Sequence, residues 1–121
     1  MKPSFHRFFT TSIATVAAVS SSAWAVDRIK QNNLNNLSLG TSWDTLPTSS
    51  DIAVFDSTYA TTGVLGTGGL FPVLGLRVTN PGGNVTINNG TAGAEVAIGA
   101  SGIDMSSASV NLNIQRLRVD A

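Results

Sequence analysis

Apolar residues between Val73 and Ile114 come in short bursts, "VLGLRVT", "NVTIN", "EVAIG", "GIDM" and "SVNLNI", with glycine, asparagine, serine and threonine filling the intervals. Inside each burst the alternation has a period of two. Leu74, Leu76 and Val78 share one face, as do Val85 with Ile87, Val96 with Ile98, Ile103 with Met105, and Val110 with Leu112 and Ile114. Thr86, Ala97, Asp104, Asn111 and Asn113 face away. Nothing after residue 60 sustains a helical period, so the pattern predicts strands alone.

The bursts centre near Leu76, Thr86, Ala97, Asp104 and Leu112, which places them 10, 11, 7 and 8 residues apart. Two architectures use short strands at such spacing: an antiparallel sandwich or barrel, and a right-handed parallel β-helix whose coils stack on one another. The brevity of the segments, the tiny connections and the small polar residues at the corners favour the β-helix, since such residues tolerate left-handed backbone or ladder with their equivalents in the next coil. The expected fold is therefore all-β, with residues 73–114 forming the coils.

Residues 26–72 read as a lead-in or cap with short strands. "SSDIAVFDST" predicts a buried strand at Ile52, Val54 and Phe55 between turn-forming Ser, Asp and Thr. "TTGVLGTGGLFPVLG" predicts loop with a brief strand at Val64 and Leu65. Asparagine pairs around Leu34 disfavour helix, leaving one short strand near Leu37 to Leu39.

The N-terminus sets the compartment. "MKPSFHRFFTTSIATVAAVSSSAWA" has Lys2 and Arg7, an apolar run from Phe8 to Val19 and a small-x-small end at Ala23-Trp24-Ala25, the three-part order of an export signal peptide over residues 1–25 with cleavage after Ala25. The apolar run falls short of the ~20 residues that span a bilayer, and no later run is long enough. The expected destination is secretion or the outer cell surface. The lone histidine, His6, leaves with the leader, and the chain has no cysteine. Histidine-based acid/base chemistry and thiol or histidine metal sites are thereby excluded from the mature chain. It keeps 5 basic and 7 acidic residues, a net charge of −2, which argues against nucleic acid as a partner.

The run "SWDTLPTSSDIAVFDST", then "LGLRVTNPGGNVTINNG" and "VAIGASGIDMSSASVNLNI", resembles the N-terminal segment of exported proteins built from autotransporter-associated β-strand repeats. The likeness spans roughly residues 35–114. It rests on Trp43, Pro47, Asp51, Phe55, Asp56, Leu76, Val78, Asn80, Pro81, Gly82, Gly83, Gly99 and the Gly102 to Ser106 stretch. The resemblance implies a passenger-type β-helix without a catalytic motif; no cofactor is expected, the partner is not fixed by the sequence, and surface polysaccharide or further β-helix repeats are the candidates. Family members carry many more repeats, whereas here "QRLRVDA", residues 115–121, breaks the Gly/Asn rhythm. That tail reads as the truncated end of a longer array.

Few residues compete for a chemical role. Asp51 and Asp56 project from opposite ends of one strand, whereas a glycosidase pair must converge on the substrate. "GTGGLF" and "NPGGNV" lack the Asp of the calcium β-roll repeat, and no helix follows Gly83 to hold a phosphate. The serines of "MSSASV" have no base except Lys30 in the distant lead-in. Trp43 and Tyr59 are the candidate ligand platform, the basis of a second reading as a small carbohydrate-binding or adhesive module. Asn80-Pro81-Gly82-Gly83 is expected to be a structural turn, with Pro81 fixing φ and the glycines free to take positive φ. No catalytic, metal or cofactor residue is assigned, and the chain is expected not to be an enzyme.

Overall fold

In the computed structural model, which describes residues 24–88 and 92–120, the chain is an all-β parallel β-helix. Residues 1–23 of the expected leader lie outside the described residues. The strands are β1 (Asp27–Ile29), β2 (Ile52–Phe55), β3 (Val64–Leu65), β4 (Phe71–Val78), β5 (Val85–Ile87), β6 (Val96–Asp104), β7 (Leu112–Ile114) and β8 (Leu117–Val119), with a 3-10 turn at Gly40–Ser42. One sheet runs β1-β2-β4-β6-β8 and the other β3-β5-β7, every neighbouring pair parallel. From β2 onward the chain visits the two sheets alternately, so successive strands lie on opposite walls of one coil. The spacing of about ten residues is half a turn, and stacked partners such as Val85 and Leu112 lie a full coil apart in sequence.

Columns of inward residues form the core. Phe71, Val96 and Leu117 stack in register, as do Val73, Ile98 and Val119 in the same sheet, and Leu65, Ile87 and Ile114 in the facing one. Removing Phe71, Val73, Val96, Ile98, Leu65 and Ile87 from water supplies the main driving force for stacking, while Leu117 and Val119 at the ends of the columns stay largely exposed. The expected buried strand at Ile52 to Phe55 and the brief strand at Val64–Leu65 are both present.

Several expectations are corrected. Leu37 to Leu39 is a turn, with Leu37 buried and Leu39 exposed; the N–H groups of Leu37 and Ser38 donate to the carbonyls of Gly66 and Thr67 in the next coil. The fourth strand starts at Phe71 and contains Pro72, read from sequence as loop. Pro72 is tolerated because β2 pairs only with Gly75 to Val78, so that stretch of β4 has a neighbour on one side alone. Leu74 does not share a face with Leu76: Phe71 and Val73 point inward, the register shifts, and Leu76 and Val78 then resume the inward positions. "EVAIG" and "GIDM" form one strand, β6, in which Ile98 to Gly102 opposes the shorter stretch Val73 to Gly75. Gly102 at φ +64° makes that bulge without the steric cost other residues would meet. The expected tail after Gln115 carries a fifth rung, β8.

Candidate functional site

The two candidate platform aromatics lie inside the cap. Trp43 is 3% exposed and Tyr59 1%. Trp43 stacks on Phe71 and meets Phe55 edge-on, Tyr59 meets Phe55 edge-on, and the Trp43 indole N–H donates to the Leu37 carbonyl at 2.8 Å. An aromatic platform for sugar needs an open ring face, so the sequence-based assignment of Trp43 and Tyr59 as a platform is corrected: they plug the N-terminal end of the core.

Lys30 shares that plug. Its side chain is fully buried and its ammonium lies 5.1 Å from the Tyr59 ring centroid, donating to the carbonyls of Gln31 and Asn33 and to Asn33 Oδ1 at 2.8–3.0 Å. Burial pushes its pKa down to about 8. Burial also pushes the Tyr59 phenol up, and its hydroxyl finds no hydrogen-bond partner among the described residues. Lys30 is thus held as a structural cation, distant in role from the nucleophile activation weighed for the serines.

At the corner after β4, Asn80-Pro81-Gly82-Gly83 makes the bend, but by a different device from the one expected. The positive-φ residues are Gly68, Gly69, Gly93 and Gly102; Gly82 and Gly83 are absent from that set among the described residues. They are glycine because the preceding coil leaves no room. A Cβ on Gly82 would stand 2.7 Å from the Ala60 carbonyl oxygen, and one on Gly83 2.5 Å from Thr62 Cγ2. The Gly82 N–H donates to the Tyr59 carbonyl at 3.0 Å, tying corner to corner.

Polar side chains elsewhere serve the same stacking. Asn32 Oδ1 accepts from the N–H groups of Ala60 and Thr61 and from the Thr61 hydroxyl one coil on, and Asn84 Oδ1 accepts from Asn111 N–H. Asp56 and Asp104 accept from the N–H groups of Thr58 and Ser106 at the starts of equivalent corners. Asp51 is buried. Desolvation alone would raise its pKa, but the Thr48 N–H and hydroxyl and the Arg28 guanidinium outweigh it and hold the carboxylate below its usual range. Arg77 bridges Asp27 and Asp104, while Arg118 joins Glu95 and Asp120. Among the described residues no three His, Asp or Glu gather to hold a metal ion, and no helix is long and apolar enough to cross a membrane.

Two features of the described surface bear on a role. A shallow depression of about 480 Å³ lies along β5 and β7, lined by Thr86, Asn88, Asn113 and Gln115 beside Ile87, Leu112 and Ile114. It has no aromatic wall. The other, missed by sequence reasoning, is the last rung: Leu117 and Val119 continue the inward columns yet are 46% and 73% exposed, and Leu112 and Ile114 are only partly buried. The signal was present in "RLRVD", an alternating strand that its charges made look like a tail. Compared with protein-family models, curated proteins and solved structures, the chain matches none.

Proposed function

We propose that this chain is an exported structural segment, a passenger-type β-helix of a secreted or surface-located repeat protein, with no catalytic role. The observation that carries the reading is that corner and sheet polar groups are spent on other coils of the stack: Asn32 on Ala60 and Thr61, Asn84 on Asn111, Arg77 on Asp104 in the next rung and on Asp27 two rungs away. A surface organised this way builds a stiff spacer. The leader pattern over residues 1–25 and the resemblance to autotransporter-associated repeat proteins support export and surface placement. Further β-helix coils are the partners that such a stack accepts.

The test is a fusion of residues 1–25 to a reporter that lacks its own leader. Export of the reporter with cleavage after Ala25 supports the proposal, and retention of the uncut fusion in the cytoplasm overturns it.

A further inference from the structure

The expected cleavage point sits directly on the first rung. Trp24 is 86% exposed and Ala25 is exposed, yet strand β1 begins at Asp27. Val26 lies between them, and its carbonyl accepts from Ile52 N–H at 2.9 Å. Since Asp27 pairs with Ile52, one step back along the parallel ladder places Val26 next to Asp51. The Val26 N–H donates to no group among the described residues.

Asp51 has capacity to spare. It is 6% exposed, and every donor that meets its carboxylate meets Oδ2: Thr48 N–H at 2.9 Å, the Thr48 hydroxyl at 3.0 Å and Arg28 Nε at 3.5 Å. The Arg28 contact is an ion pair without a hydrogen bond, because Nε is buried and finds no acceptor. Oδ1 accepts from nothing among the described residues, although a carboxylate has room for about four donors.

We propose that removal of the leader locks the first rung, the α-ammonium released at Val26 pairing with Asp51 Oδ1; the inference rests on the cleavage after Ala25 proposed above. A peptidase of the export machinery adds water across the Ala25–Val26 amide. The C–N bond breaks, Ala25 leaves with a carboxylate, and Val26 keeps the nitrogen, largely as the ammonium at pH 7. A neutral amide with one idle donor thus becomes a cation with three. It forms on a residue already tied to Ile52 through its carbonyl, so little further ordering is needed. Asp51 is buried, so salt screens this pair less than one on the open surface. The uncut chain lacks the contact. The rung therefore locks only after the leader has done its work, and the precursor stays easier to hold unfolded for export.

The processed chain supplies the test. Its one lysine, Lys30, is fully buried, so acetic anhydride at neutral pH modifies the α-amine of the folded chain alone. Acetylation should lower the melting temperature by about 4 °C. In Asp51→Asn the same modification should change nothing. The rate of acetylation against pH should place the native α-amine above the ordinary range for such a group, a reading that needs no variant. Equal melting of free and acetylated chains, an α-amine titrating in its ordinary range, or an acetylation loss that persists in Asp51→Asn overturns the lock. Each of these leaves the export reading standing, which the reporter fusion decides separately; a leader cut at another bond overturns both.

Discussion

The indole of Trp43 lies flat against the ring of Phe71, centroids 5.5 Å apart and planes 12° from parallel, so a residue of the lead-in seals the first long strand. Trp43→Ala should therefore cost about 3–5 kcal/mol in a denaturant titration, the range for emptying a buried aromatic site. Loss of sugar binding with stability unchanged would instead revive the platform role.

Gly82 and Gly83 separate two kinds of crowding. Gly82→Ala drives a methyl into the Ala60 backbone and should destabilise by about 1–3 kcal/mol, with no side-chain change to relieve it. Gly83→Ala meets only the Thr62 methyl, so adding Thr62→Ser should recover most of the loss. A thermal-melt double-mutant cycle reads this directly; equal tolerance of both alanines would show that the corners do not pack as described.

Much of the architecture was legible in the pattern of residues, and the misses have physical causes. Period-two alternation marked β5 and β7 because their neighbours are small and polar. It misjudged Leu74 because the bulge in β6 changes the phase of its partner strand, a long-range event that no local pattern records. It misread Leu37 to Leu39 because the N–H groups of Leu37 and Ser38 go to a corner about thirty residues away, while that of Leu39 closes a local turn onto Asn36. Trp43 and Tyr59 looked available for a ligand because both sit among polar residues, and only the stacking of the lead-in on later coils buries them. The glycines at Gly82 and Gly83 were read as a need for positive φ, whereas close approach of the preceding coil, invisible in sequence, is what leaves no room for a side chain there.

Lys30 makes stability rise on the alkaline side. Its folded pKa of about 8 lies below the ordinary value of 10.5, so the unfolded chain binds more protons between those limits. The penalty for burying the ammonium is full below pH 8 and fades above it. From pH 7 to 9.5 the gain should be about 2 kcal/mol, before Tyr59, whose raised pKa works in the opposite sense, erodes it above pH 10. Denaturation midpoints across this range should climb for the native chain and stay flat for Lys30→Met.

Asp51 governs the acid side. A carboxylate held below its usual pKa contributes stability that is present above the unfolded value near 4 and is lost as pH falls through the folded one. Asp51→Asn should lower stability at neutral pH by about 1–3 kcal/mol, since it removes a buried partner of Thr48 and Arg28. It should also flatten the acid limb of a pH-dependent melting series.

One intact-mass measurement reads export and coil stacking together. Thr86 and Asn113 are in-register neighbours on adjacent parallel strands, with side chains on the outer face, in a chain free of cysteine. The Thr86→Cys/Asn113→Cys variant, expressed from its own leader into an oxidising compartment, should be recovered as residues 26–121 lacking two hydrogens, its disulfide closed across the rungs. Recovery of the uncut chain, or of the processed chain with both thiols free, would contradict an exported stack of parallel coils.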